Sequence, residues 1–139
     1  MIYVGNDVPW YCSNLGTVVT DQLFVAIEHV VGEQSFATVY KRLQSVAVAV
    51  GDLITDADAI EGKLIGVSGD SGCTTTEHLH FSVRVSRPND GAFYWRYGVR
   101  TDPYGASPSP PGDPEGMVFN QKLWVDTATD PQPPVVSVP

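Results

Sequence analysis

Two histidines, His78 and His80, are the residues of this chain whose type and spacing best suit chemistry. They open an alternating run, in which the polar positions are His78, His80, Ser82, Arg84 and Ser86 and the apolar positions are Leu79, Phe81, Val83 and Val85. Such alternation predicts a strand with one buried and one solvated face. Because residues i and i+2 of a strand project from the same face, both imidazoles are predicted to point at one small volume. In that volume one imidazole could bind an ion, and the other could act on a group bound to the ion. Taken alone, the spacing favours a surface strand that happens to carry two histidines.

Length and composition limit the class of protein. The 139 residues fit one domain, and 42% hydrophobic against 17% charged residues indicates a folded chain. The net charge of -8 and the pI near 4.5 argue against nucleic acid or an anionic membrane as a partner. There is no apolar run of transmembrane length, and residues 1–7 have neither the basic segment nor the apolar stretch of a signal peptide.

The elements that must position the histidines are predicted to be strands. Short apolar runs at residues 2–4, 23–31, 36–43 and 64–67 lie between turn signals, whereas residues 9–21 are predicted to be a loop. Only residues 57–60 suggest a helical turn. Short strands at regular intervals predict an all-β domain with an antiparallel sheet.

The composition changes near residue 105, because most of the eleven prolines lie from Pro103 onward. The sequence therefore predicts a β domain over residues 1–105 and a Pro-rich, largely irregular tail over residues 106–139. Within the tail, only residues 117–125 are apolar enough to dock, through Phe119 and Trp124. The oligomeric state is left open.

A family resemblance rests on residues 66–83, where a glycine-rich loop with small hydroxyl residues leads into His-x-His-Phe. This stretch resembles the signature of the lysostaphin-type, or LytM-like, zinc metallopeptidases, which are peptidoglycan endopeptidases. Four further blocks are similar in order and distance: 25–29 to the family's V-x-I-x-H, 38–43 to T-x-Y-x-H-L, 48–54 with 65–66 to the turn and strand that follow, and 101–104 to D-P-Y. The resemblance covers about residues 2–105, and five ordered blocks are much more specific than one.

The resemblance implies the antiparallel β-sheet of the duplicated hybrid motif and hydrolysis of cell-wall peptide bonds by a zinc-activated water. In the family, zinc is held by an upstream H-x-x-x-D motif and by the second His of H-x-H, while two further histidines assist the water. When these roles are transferred to this sequence, His80 stands at the metal-ligand position, and His78 and Arg42 stand at the catalytic positions. The implied partner is a peptidoglycan peptide or a cell-wall protein, and the implied location is extracellular or in the cell envelope.

Two positions depart from the family pattern. The chain has no H-x-x-x-D motif, which in the family precedes the strand that residues 2–5 resemble, so it is expected upstream of Met1. Arg42 stands in place of a catalytic His; it stays protonated and so is no general base, although it could stabilise an oxyanion. Either the chain lacks the first strands of its domain, or the domain has lost its metal chemistry. The expected function is a zinc endopeptidase-type domain that is weak or inactive as given; the alternative is a non-catalytic peptidoglycan-binding or amidase-activating domain.

Other residues have two interpretations each. Cys12 and Cys73 form either a disulfide or two free thiols. Glu77 is either a substitute carboxylate or, as we favour, a solvated charge, and His29 is expected to be structural. The aromatic residues 93–97 either line a groove or belong to the core.

The glycine loop also contains the Gly-Asp-Ser-Gly sequence found around the nucleophile of chymotrypsin-like proteases. A triad of His29, Asp52 and Ser71 can be drawn in that order. We reject it, because two β-barrels do not fit into 139 residues and the surroundings of His29 differ from that family's.

Overall fold

A computed structural model describes residues 2–6, 9–86, 91 and 94–101. The predicted domain boundary at residue 105 and the predicted Pro-rich tail at residues 106–139 lie outside these residues. The described elements are, in chain order, β1 (Ile2–Asn6), β2 (Trp10–Cys12), β3 (Thr17–Val19), β4 (Leu23–Val31), β5 (Gln34–Val46), α1 (Asp56–Glu61), β6 (Gly66–Ser68), β7 (His80–Val85), α2 (Tyr94–Tyr97) and β8 (Val99–Thr101). Neither described helix has the length and apolar character needed to cross a membrane.

Six strands form one antiparallel sheet in the order β1-β4-β5-β7-β8, with β6 also paired to β5. The predicted all-β antiparallel fold is confirmed. The predicted loop at residues 9–21 is wrong, since β2 and β3 form a separate hairpin in which Trp10 faces Val19 and Cys12 faces Thr17. Strands of three residues are too short for alternation to show in a sequence.

The hairpin of β4 and β5 is the centre of the sheet. Its turn, Gly32-Glu33, has two residues, and the positive φ of 63° at Gly32 suits glycine in such a turn. Strand β5 is longer than the predicted 36–43. It pairs with β4 along one edge and with β7 and then β6 along the other, so three strands take their register from it.

The core lies on both faces of the sheet, as the alternation of β4 requires. One face carries a cluster of Phe24, Ala26, Ala37, Val39 and Tyr94, with Tyr94 contributed by α2. The opposite face carries Ile2, Val25, Ile27 and Leu43. Helix α2 contacts both β5 and β7 and therefore covers part of the first face. At least Tyr94 of the aromatic stretch at 93–97 is thus a core residue.

The Tyr94 hydroxyl connects α2 to the sheet through hydrogen bonding, and this leads to a testable prediction. The hydroxyl oxygen lies 3.1 Å from both Glu28 Oε1 and the Phe36 carbonyl oxygen, so its one proton is shared between these two acceptors, and the side chain is only 4% exposed. We expect Tyr94→Phe to lower the free energy of unfolding by about 1–2 kcal/mol in urea at pH 7, because buried acceptors lose their donor.

Tyr11→Phe is the matched control, because Tyr11 is 63% exposed and its variant should unfold like the wild type. Burial, and then the Glu28 carboxylate, raise the pKa of Tyr94 above its usual range. The stability that this hydroxyl supplies is therefore full below pH ~10 and is lost as the pH rises toward the higher folded-state pKa. Equal unfolding curves for Tyr94→Phe and Tyr11→Phe would contradict this account.

Candidate functional site

Strand β7 places a row of polar side chains on one face of the sheet. His80 lies directly opposite Lys41 of β5, and Arg84 lies opposite Arg100 of β8. Facing residues of paired strands share a face, as do residues i and i+2, so Ser82 belongs to the same row. We call this row, with Lys41 and Arg100, the His80 face; Tyr94 packs on the same side of the sheet. The predicted polar parity is confirmed.

The predicted burial of the opposite face of β7 is only partly correct. Val83 and Val85 are buried, whereas Leu79 is 48% and Phe81 37% exposed. The predicted strand start is also shifted. His78 lies before β7 and forms an isolated bridge with Gly69, and β7 itself begins at His80.

Arg42 lies at an irregularity in β5. Leu43 faces Leu23 and Lys41 faces Phe24, so Arg42 is the extra residue of a β-bulge. Its φ of 65° is the only positive φ of a non-glycine residue in the described part of the chain. This conformation costs about 1–2 kcal/mol for such a residue. A bulge of this kind re-aims its side chain, and such features are common beside active sites.

Two backbone hydrogen bonds connect Arg42 with His78 through the glycine loop, residues 69–73. The Gly69 amide donates to the Arg42 carbonyl at 2.7 Å, and the His78 amide donates to the Gly69 carbonyl at 3.1 Å. A Cβ at Gly69 would lie 2.9 Å from the backbone nitrogen of Gln44, so the close approach requires glycine. The fold thus brings both predicted catalytic positions, Arg42 and His78, to one region beside His80.

The glycine loop is fixed at further points. Ser71 Oγ accepts a hydrogen bond from the Leu23 amide at 3.1 Å. Cys73 is joined to Cys12 of β2 by a disulfide, which settles the alternative left open by the sequence. The loop that precedes the histidines is therefore held by β4 and by the β2–β3 hairpin together.

The rejected serine-protease triad finds no support in these contacts. His29 Nε2 lies 2.9 Å from Thr38 Oγ1, and Asp52 Oδ2 accepts from the Ala49 amide at 2.9 Å. Each residue thus has its own local partner, and Ser71 bonds to Leu23 as described above. For His29 this contact agrees with the expected structural role.

His78 is exposed and held through Nδ1. Nδ1 lies 2.9 Å from the Thr76 carbonyl oxygen and 3.3 Å from Thr74 Oγ1. Because a carbonyl oxygen only accepts, Nδ1 carries the proton in the neutral ring, and the lone pair lies on Nε2. His78 Nε2 is therefore the atom that could take a proton. Glu77 is exposed, in keeping with a solvated charge.

His80 is half-buried among positive charges. Burial is the largest cause that lowers the pKa of His80 below its usual value, and the charge of Arg42 is the next. Lys41, Arg100 and Arg84 act in the same direction. Both causes, burial and the neighbouring charges, favour the neutral form of the ring. A neutral imidazole can ligate a metal, but the cations around it repel one.

The family is decided by comparison with known proteins. The family model described as Peptidase family M23 matches residues 9–93, more than half of the chain and including Arg42, His78 and His80. The chain belongs to peptidase family M23. This confirms the predicted lysostaphin-type, LytM-like relationship. No curated protein and no solved structure matches the chain.

M23 peptidases are generally zinc-dependent, so the fit of these residues to zinc can be tested. Among residues 2–6, 9–86, 91 and 94–101, no three His, Cys, Asp or Glu side chains are grouped so that they could hold a metal. Catalytic zinc sites use three protein ligands. The described residues around His80 supply too few ligands and four repelling charges, and they do not fit zinc. The metal role of His80 and the catalytic roles of His78 and Arg42 stay predictions.

Four residues near His80 were not singled out as candidate site residues from the sequence. They are Lys41, Ser82, Arg84 and Arg100. The alternation from His78 to Ser86 already placed Ser82 and Arg84 on the parity of His80, and that signal could have been used. Lys41 and Arg100 carried no such signal, because their positions depend on the register of β5 and β8.

Proposed function

We propose that this M23 domain acts on the peptide part of peptidoglycan, as a domain of the endopeptidase type. Hydrolysis by a zinc-activated water depends on ligands beyond the described residues, and it is weak or absent in these 139 residues alone. The observation that carries the proposal is the joining of Arg42, Gly69 and His78 by backbone hydrogen bonds, within the stretch that matches the family.

The chain's own residues have limited chemical means. His78 Nε2 can accept a proton, and Arg42 can donate hydrogen bonds to an oxyanion that forms on a peptide carbonyl. Arg42 is no proton acceptor, so one of the two histidines that assist the water in relatives is missing. The zinc, when bound in family members, supplies the activated water. Weak turnover follows from these substitutions.

The disulfide supports the proposed location. The Cys12–Cys73 bond lies beside the site, and disulfides persist in oxidising compartments such as the cell envelope or the extracellular space. An extracellular or cell-envelope setting is therefore part of the proposal, and it agrees with a peptidoglycan substrate.

One observation favours a second candidate, a non-catalytic domain that binds peptidoglycan or regulates an amidase. Four cations act on His80, where family members hold a divalent cation. Such an arrangement could retain a peptide without cutting it.

The test combines binding and hydrolysis. We expect the chain to sediment with purified insoluble peptidoglycan and to release almost no soluble muropeptides, with or without added zinc. When an H-x-x-x-D segment is added at the N-terminus together with Arg42→His, cleavage should rise by about 10²-fold or more over the same protein with Arg42, and a chelator should abolish it.

Two results would contradict the proposal. Failure to sediment with peptidoglycan would argue against peptidoglycan as the substrate. One tightly bound zinc per chain, measured by elemental analysis, would contradict the expectation of weak or absent hydrolysis. Binding without any cleavage by the variant with the added segment and Arg42→His would favour the second candidate.

A further inference from the structure

Buried polar atoms of Arg42 and Ser82 have no hydrogen-bond partner among the residues that the structure describes. Arg42 Nε, Arg42 Nη1 and Ser82 Oγ are almost completely buried and make no hydrogen bond with any described residue. Buried donors without a partner are rare in native proteins and costly, and each one needs an explanation such as a bound ion or ligand. Ser82 lies two residues after His80 on β7, and Arg42 follows Lys41, the residue that faces His80, so both residues are near neighbours of His80 in the sheet.

The same place concentrates positive charge in an acidic protein. The chain has a net charge of -8, yet Lys41, Arg42, Arg84 and Arg100 all act on His80. Arg84 Nη1 donates to the Gly98 carbonyl at 2.6 Å, which fixes its guanidinium near β8. Glu28 lies in register with Arg84, because Ala37 faces both residues, and it accepts from Tyr94 four residues along the sheet from the pair of Lys41 and His80. The cations next to His80 itself are Lys41 and Arg42, and their charge favours an anion there.

Guanidinium and hydroxyl donors beside an ammonium group suit an oxyanion. Hydrogen bonds from arginine to a carboxylate are charge-assisted and stronger than neutral ones, and they would satisfy the donors of Arg42. Ser82 Oγ can donate one further hydrogen bond. A peptide presents such a group at its C-terminus, and a cell-wall peptide is the proposed substrate of this domain.

We propose that the His80 face, with Arg42 of the adjacent bulge, binds the C-terminal carboxylate of a peptide, to which Arg42 and Ser82 donate hydrogen bonds. The inference rests on the proposed function, because it names the part of the cell-wall peptide that the domain recognises. The site that holds a metal cation in relatives is in this chain a site for an anion.

The test uses the full chain and the probe N-acetyl-D-alanyl-D-alanine, with its C-terminal amide as the uncharged comparison. Phenanthroline, a neutral chelator, removes trace metal without adding a carboxylate. Binding is followed by amide chemical shifts in NMR spectra. We expect the acid to bind with a Kd on the order of 1 mM and the amide to bind at least about 10-fold more weakly.

Variants locate the site. Arg42→Gly suits the positive φ at this position and removes the guanidinium. It should weaken binding of the peptide acid by about 10-fold or more. Ser82→Ala should weaken it by a few-fold. Neither variant should lower the Tm, since each removes unmet buried donors. Lys63→Gln is the matched control: it removes a cation that pairs with Asp58 at 3.7 Å, and the affinity should stay unchanged.

Several outcomes would overturn the inference. Equal binding of acid and amide excludes recognition of the carboxylate. If Lys63→Gln and Arg42→Gly lose the same affinity for the acid, the effect depends only on the net charge of the protein. Inorganic phosphate that binds more tightly than the peptide acid excludes a peptide as the preferred ligand. If the chain sediments with peptidoglycan but does not prefer the acid, this inference alone fails; if it prefers the acid but does not sediment, the proposed function fails.

Discussion

Removal of the Cys12–Cys73 disulfide is expected to lower the free energy of unfolding by about 4 kcal/mol, because the bond closes a long loop in the unfolded chain. The two cysteines are 61 residues apart in sequence. For a domain of this size the loss corresponds to a fall in Tm of about 10 °C or more. The double variant Cys12→Ala, Cys73→Ala should show it in thermal and urea unfolding, and so should the wild type after reduction.

The double variant is also the control for the reductant, which should leave its unfolding curve unchanged. A reduced wild type as stable as the oxidised protein would show that the bond does not restrict the unfolded chain. The loss should be accompanied by loosening of the glycine loop, since Cys73 is one of its attachments.

The second large effect is expected at Phe24. This side chain is 4% exposed and lies in the cluster that joins β4, β5 and α2. Phe24→Ala should lower the free energy of unfolding by about 3–5 kcal/mol in urea, because it removes apolar contacts and leaves a cavity. The position also borders the bulge at Arg42, so the variant should perturb the site as well as the core.

Leu53→Ala is the matched comparison for this prediction, because Leu53 is 70% exposed. We expect its unfolding to lie within about 0.5 kcal/mol of the wild type. A cost below about 1 kcal/mol for Phe24→Ala would mean that the cluster collapses around the smaller side chain or is not closely packed.

Much of the fold and of the site could be predicted from sequence, because both depend on local patterns. The alternation after His78 predicted β7, and the apolar run at 23–31 predicted β4. The order of the motif blocks predicted the family and placed Arg42 and His78 in one region, where the structure joins them through Gly69.

Other features depend on contacts between distant segments, and no local pattern carries them. The polar side of β7 was predicted to be solvated, yet Ser82 Oγ is buried. Helix α2 contacts β7 on that side of the sheet. This contact could not be predicted from the sequence of α2, in which only an aromatic stretch is evident. The charge around His80 likewise needs the register of β5 against β7, which brings Lys41 beside it.

The central place of β5 has a consequence for the order in which the domain assembles. Its pairing with β4 spans a two-residue turn, so this hairpin closes at little entropic cost. Its pairing with β7 joins residues far apart in the chain, and such closures are slow. The early hairpin already contains Arg42, whereas His78 and His80 arrive with the later strand. Partial unfolding from that edge would therefore disassemble the site while most of the hydrophobic framework stayed intact.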